Sequence, residues 1–304
     1  MEMENSFIAV IKAIVYGIVE GITEWLPVSS TGHLIILNSF FQTSQMYGDP
    51  FWEFFLVFIQ LGAILAVIVG FFKELNPINP KISSRDRKSI LGVWGKIIVG
   101  IIPAGLIGVL FEALDIDAYL DNVIIVATTL FVYGVLFIII ESYRKRKGME
   151  VQVLKEMKFY SKNHAESIYD YVKDLDYKIV LIIGCAQILS LIPGTSRSGV
   201  TILSALLLGC SRTCASKFSF YLSIPIMLGA SLVKFLSFSQ VGIQWNTNEI
   251  IYATVGLVFA FITSILIIKT LLKFIKNHTF IGFGYYRIAL SIVLFTLLGA
   301  GLIS

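Results

Sequence analysis

Residues 17–37, GIVEGITEWLPVSSTGHLIIL, decide how this sequence folds. Two apolar arms flank a centre broken by Pro27 and crowded with Glu20, Glu24, Ser29, Ser30, Thr31 and His33. A helix needs about 20 apolar residues to cross a bilayer, and neither arm reaches that length. Irregular backbone at membrane depth is tolerated only inside protein or against a wet cavity. Residues 7–41 are therefore expected to form a re-entrant helix hairpin. Residues 179–210 read the same way, with IVLIIGCAQILSL, then IPGTSRSG, then VTILSALLLGC.

The rest of the chain gives these hairpins a membrane setting. Of 304 residues, 56% are hydrophobic and 14% charged, against roughly 25% charged in soluble domains. The mean hydropathy is +0.82. Such a composition excludes soluble enzymes, secreted disulfide scaffolds and nucleic-acid binders, and no nucleic-acid partner is expected. Six spans are expected at 55–72, 95–111, 123–140, 217–236, 250–268 and 286–303. The fold class is thus an all-α polytopic membrane protein with six transmembrane helices and two re-entrant hairpins. The start, MEMENSF, is acidic and lacks the basic region of a cleavable signal peptide, so the first apolar stretch is expected to be kept. Cys185, Cys210 and Cys214 have no metal-ligand spacing and read as small apolar side chains.

Charge sets the orientation. Segment 73–96 carries six Lys/Arg, 141–178 carries nine and 269–287 carries four, whereas 112–121 and 237–249 carry none. By the positive-inside rule the three basic loops are cytoplasmic. Both termini then lie outside, with the first hairpin entering from outside and the second from the cytoplasm. Gly17 and Gly184 are 167 residues apart, as are Leu61-Gly62-Ala63 and Leu228-Gly229-Ala230. One hairpin plus three spans, repeated, makes an inverted-topology repeat: 1–145, a charged connector 146–178, and 179–304. Inverted repeats bring their broken helices together near the midplane, where sites form.

The two broken centres carry complementary chemistry. Glu20 and Glu24 share a helix face, Pro27 ends that helix, and Ser29, Ser30 and Thr31 suit the N-cap of the next. His33 is three residues beyond Ser30 and is expected on the same face. Carboxylates inside apolar sequence are functional hypotheses by default. The second centre, Pro193-Gly194-Thr195-Ser196-Arg197-Ser198-Gly199 with Thr201 beyond it, offers a tight turn, hydroxyls, a guanidinium and a helix N-terminus. That set suits a phosphate. Together they fit phosphoryl transfer on a lipid, with Ser30 or His33 as nucleophile, His33 moving a proton and Arg197 holding phosphate oxygens. Glu20 and Glu24 are also candidate ligands for Mg²⁺ or Ca²⁺.

GIVEGITEWLPVSSTGHLIIL and PGTSRSGVTI closely resemble the signature motifs of the bacitracin-resistance undecaprenyl-diphosphate phosphatase family. The resemblance extends through FIQLGAILAV, KIIVGIIPAGLIGVLF and FSFYLSIPIMLGASL, so it covers nearly the whole chain. It implies a multi-pass hydrolase of the bacterial inner (plasma) membrane that converts undecaprenyl diphosphate to the monophosphate. It further implies lipid-carrier recycling for the cell wall, bacitracin resistance, a site open to the outer face and stimulation by a divalent metal. The family's acidic motif falls on Glu20 and Glu24, its serine and histidine on Ser30 and His33, and its arginine motif on Ser196, Arg197, Ser198 and Thr201. Gln60 is a further matching polar position, and Ser29, Thr31 and Gly194 complete the expected substrate contacts. The segment 141–178 looks longer than the family usually carries. A lipid-phosphate transporter or flippase is the competing reading, and a homodimer is compatible with either.

Overall fold

The computed structural model describes residues 6–44, 48–114, 116–120, 122–146, 172–241 and 246–303. The described residues are helical, with no strand among them. In chain order the principal helices are α1 (Ser6–Thr23), α2 (Ser30–Phe41), α3 (Asp49–Gly70), α4 (Ser84–Ala113) and α5 (Val123–Arg146). They continue with α6 (Tyr177–Gln187), α7 (Arg197–Leu207), α8 (Arg212–Val241), α9 (Thr247–Phe274) and α10 (Ile281–Gly299). A 3₁₀ turn, Ile188–Leu191, extends α6. Most of the connector proposed at 146–178 lies outside the described residues.

Six helices are long and apolar enough to cross a membrane: α3, α4, α5, α8, α9 and α10. Helices α4, α5, α8 and α9 contain their expected spans whole, α3 ends at Gly70 against the expected 72, and α10 ends at Gly299 against the expected 303. The other four form two helical hairpins. At 1.5 Å per residue, the 12 residues of α2 and the 11 of α7 reach about 16–18 Å, well short of a hydrocarbon core. The first hairpin closes on itself: Lys12 Nζ donates to the Phe41 carbonyl at 3.0 Å, and the Tyr16 ring packs edge-on against Phe41.

Contacts follow an exchange of the two halves. Helix α1 packs along α9 and α6 along α4, α3 meets α8, and α5 meets α10. Glycine permits the closest approaches. Gly17 faces the backbone of Gly256, Gly184 faces that of Gly100, and Gly134 and Gly284 face each other. Small residues at such crossings let helix backbones touch, which is how helices associate where lipid removes the hydrophobic drive. A Cβ on Gly184 would meet the Gly100 peptide itself, which no rotamer change relieves. Gly184→Val is expected to destabilise the protein by about 3 kcal/mol or more, from overpacking against backbone. Thermal unfolding in detergent checks this, and an unchanged midpoint would mean that the α6–α4 crossing is dispensable.

One charge lies where the sequence reading did not put it. Arg287, counted there with the basic loop 269–287, sits inside α10 and is fully buried. The last crossing helix begins at Ile281 rather than 286, and turns Arg287 toward the junction of the two hairpins. Cys210 and Cys214 are buried thiols, while Cys185 is exposed.

Candidate active site

The tips of the two hairpins touch. After α1 the chain turns through Glu24–Val28 and enters α2 with Ser29 as N-cap at φ 72°. In the other half the chain turns through Pro193–Thr195 and enters α7 with Ser196 as N-cap at φ 68°. These two serines are 167 residues apart. A non-glycine residue in the left-handed region costs of order 1–3 kcal/mol and persists only where its surroundings enforce it. Gly194 (φ +86°) makes the second turn possible, because a Cβ there would lie 2.6 Å from the Val126 carbonyl.

Side chains then cross the junction. Ser198 Oγ donates to the carbonyls of Glu24 (3.0 Å) and Leu26 (3.3 Å). Arg197 Nη2 lies 3.3 Å from Glu24 Oε1, and Ser30 Oγ donates to Glu24 Oε2 at 3.0 Å. The other arm of Arg197, Nη1, donates to the Ser219 carbonyl at 2.8 Å, and its guanidinium lies 5.9 Å from the centre of the Trp25 ring. Thr201 does not reach outward: it bonds Ser219 Oγ at 2.6 Å and so steadies the carbonyl that holds Arg197. One carboxylate thus joins a hydroxyl from the first hairpin to a guanidinium from the second.

These groups border a cavity of about 200 Å³ whose lining includes Glu24, Ser29, Ser30, Thr31, Gln60, Gly194, Ser196 and Arg197. Ser29 Oγ is buried without a hydrogen-bond partner among the described residues, and so is Arg197 Nε. A second cavity of about 430 Å³ shares Ser30, Thr31 and Gln60 and runs past Asn38, Gln42 and Trp52 to Leu302. Two helix N-termini meet at the inner cavity, where unpaired N–H groups and the helix dipoles favour an anion.

The sequence model of the family described as bacitracin resistance protein BacA matches residues 13–293. The chain belongs to that family. Among its relatives, an undecaprenyl-diphosphatase of Acetivibrio thermocellus is 46% identical over 283 residues, covering 93% of this chain and 95% of the relative. An undecaprenyl-diphosphatase of Enterococcus faecalis is 44% identical over 283 residues, again 93% and 95%. Undecaprenyl-diphosphatase 1 of Clostridioides difficile is 44% identical over 290 residues, 95% and 96% of the two chains.

Within this BacA-family site the expected residues separate into three groups. Glu24, Ser29, Ser30, Thr31, Gln60, Gly194, Ser196 and Arg197 line the cavity. Ser198 and Thr201 are buried outside the cavity lining, where Ser198 bonds the Glu24 and Leu26 carbonyls and Thr201 bonds Ser219 Oγ, so they build the junction. Glu20 and His33 lie apart. Glu20 is fully buried one turn behind Glu24, and neither of its carboxylate oxygens has a donor among the described residues. Burying an ionised carboxylate unpaired is costly, so this group needs a proton or a cation.

His33 does not bond Ser30. Its Nδ1 lies 2.7 Å from the Ser29 carbonyl, and its Nε2 lies 2.7 Å from the Tyr286 hydroxyl. Since a carbonyl can only accept, the neutral ring carries its proton on Nδ1, and Nε2 accepts from Tyr286. The ring borders a separate, mostly apolar cavity of about 350 Å³ with Leu26, Val28, Phe283 and Tyr286. In this arrangement His33 braces the strained Ser29 turn. His33→Ala is expected to lower kcat roughly 30-fold or more, and Tyr286→Phe by only about threefold. Parallel kinetics check the pair, and equal losses would mean that the Tyr286 bond, not the Ser29 bond, matters.

The sequence reading passed over Ser219, Ser190, Met227, Tyr286 and Arg287. Of these only Arg287 left a usable signal, as a cation inside FGYYRIALS. Ser219, Met227 and Tyr286 look like ordinary span residues, and Ser190 like part of an apolar arm, until packing brings Ser219 to Arg197, Tyr286 to His33, and Ser190 and Met227 to the cavity wall.

Proposed function

We propose that the protein is an integral membrane phosphatase hydrolysing undecaprenyl diphosphate to undecaprenyl phosphate and inorganic phosphate. By this reaction it recycles the lipid carrier for cell-wall synthesis and gives bacitracin resistance. The observation that carries this reading is the Ser30–Glu24–Arg197 chain at the mouth of a polar cavity, bonded at 3.0 and 3.3 Å. It is the arrangement of a nucleophile, its base and an anion clamp.

In this mechanism Ser30 Oγ attacks the terminal phosphorus while Glu24 Oε2 accepts its proton. The bond from that phosphorus to the bridging oxygen breaks, and undecaprenyl phosphate leaves. Glu24 yields that proton to the departing phosphate, and its carboxylate then takes a proton from the water that attacks the phosphoserine and returns it to the seryl oxygen as the serine–phosphorus bond breaks and inorganic phosphate leaves. Arg197 transfers its grip from Glu24 to the phosphoryl oxygens, where its planar fork matches two of them.

Glu20 and Glu24 would hold a divalent cation, Mg²⁺ or Ca²⁺. The unpaired Glu20 carboxylate is the feature that suits one. No group of three or more His, Cys, Asp or Glu side chains converges for a metal among the described residues. Such an ion would therefore draw further oxygens from water and substrate, as Mg²⁺ commonly does. Its chemistry when bound is to offset phosphate charge.

The larger cavity reaches the end of the bundle where α5 begins and α10 ends, the end without basic loops. That supports access for the headgroup from the outer face of the bacterial plasma membrane. The test is phosphate release from a long-chain prenyl diphosphate by purified protein, with and without chelator. Release that stops with chelator and returns with Mg²⁺ or Ca²⁺ supports both the reaction and the ion. Movement of lipid between leaflets with no phosphate release would favour a flippase instead.

A further inference from the structure

Arg287 is the most enclosed cation at the junction, with none of its surface exposed. Its Nη1 donates to the Pro27 carbonyl at 3.1 Å, and its Nη2 to the carbonyls of Gly194 (2.8 Å) and Thr195 (3.1 Å). Its Nε points to the Leu130 carbonyl at 3.5 Å, and the Tyr133 ring centre lies 5.6 Å from the guanidinium carbon. One side chain from α10 therefore ties the turn of the first hairpin to the turn of the second.

All of these partners are neutral. Arg197 faces Glu24 and Arg212 faces Glu141, but no carboxylate pairs with Arg287 among the described residues. A buried cation without a counter-charge is costly. An incoming anion would offset that cost, and the cavity that Gly194 helps to line is the adjacent space for one. The direction of the clamped peptides agrees. In a trans peptide C=O and N–H point opposite ways, so fixing the Thr195 carbonyl on Arg287 turns the Ser196 N–H away from it. Ser196 borders the cavity.

We propose that Arg287 is a positioning residue that holds the two hairpin turns in register, and that its unpaired charge is balanced by the substrate's diphosphate. This rests on the phosphatase reading of the site. It makes the resting protein an electrostatically incomplete structure that the headgroup completes. Geometry and charge are separable, because lysine keeps the charge but cannot bridge carbonyls of two turns with one planar fork.

The test uses the full-length protein in detergent with inorganic pyrophosphate as probe, read by thermal shift, alongside kcat and KM on the prenyl diphosphate. Pyrophosphate is expected to raise the wild-type melting temperature. Arg287→Met should weaken that binding by about tenfold or more. Arg287→Lys should keep pyrophosphate affinity within about threefold and lose about tenfold or more in kcat at little changed KM.

Unchanged pyrophosphate affinity in Arg287→Met overturns the charge role, and wild-type kcat in Arg287→Lys overturns the positioning role. Should Arg287→Met fail to fold, Arg287→Lys decides alone: joint loss of stability, pyrophosphate binding and turnover would make Arg287 mere scaffold. Wild-type protein that binds pyrophosphate yet releases no phosphate from the lipid refutes the phosphatase reading and leaves this inference standing.

Discussion

Arg197→Ala is expected to lower phosphate release from a prenyl diphosphate by about 10³-fold, chiefly in kcat. Two losses combine. The transferring phosphoryl group loses its fork of donors, and Glu24 loses the cation 3.3 Å away in a setting where both side chains are only 10% exposed. Removing one partner of a buried pair leaves the other charged and unpaired, a penalty of about 3–5 kcal/mol in typical cases. Arg197→Lys should recover less than about a tenth of the lost activity, because a point charge cannot bind the Ser219 carbonyl and Glu24 with one rigid fork. Phosphate release at saturating lipid, beside a melting curve for each variant, makes the measurement. Turnover within threefold of wild type, in a folded Arg197→Ala protein, would remove Arg197 from the chemistry.

Ser30→Ala is expected to cost as much, again about 10³-fold or more in kcat. Its hydroxyl is the group that the Glu24 carboxylate engages at the cavity wall, at 3.0 Å. The change removes no packing of consequence and leaves the Glu24–Arg197 pair intact, so the melting temperature should stay within a few degrees of wild type. The nucleophile itself is identified by rapid quench with substrate labelled on the terminal phosphate. Label on Ser30 that disappears in Ser30→Ala supports the mechanism. Label that persists in Ser30→Ala and maps to His33 would transfer the attack to the imidazole, and the Ser29–His33–Tyr286 arrangement would then have to open during turnover.

Much of this site was legible before any coordinates. Glu24 and Arg197 are conspicuous because charge is expensive inside apolar sequence, and no partner near either in the chain could account for it. Ser29 and Ser196 stand at the N-cap positions of short helices after turn-forming residues, and Ser196 accepts the capping bond from the Gly199 N–H. Spacing failed at His33. Three residues beyond Ser30 on an ideal helix it should share that residue's face. Helical side chains, however, lean back toward the N-terminus, and this one reaches the carbonyl four residues earlier. Tyr286, 253 residues away, then holds the ring in another cavity. Ser198 and Thr201 show a different limit, since their hydroxyls bond protein groups beside the cavity. A hydroxyl in a motif looks the same whether it faces a ligand or a backbone carbonyl.

The membrane setting, the six crossings, the two interrupted segments and the identity of the side chains that sit there can be read from the amino-acid order alone. Those follow from length, apolar pattern and the cost of charge in lipid, all properties of short stretches of chain. Which of those side chains meet depends on how the helices pack. Ser30 bonds Glu24 across a left-handed turn, Arg197 meets Glu24 from 173 residues away, and Arg287 leaves the basic loop to join two turns from inside α10. The physical reason is that the site is a seam between two halves. Its geometry is set by glycine-mediated helix crossings and backbone carbonyls contributed by both, and neither half contains the whole of it.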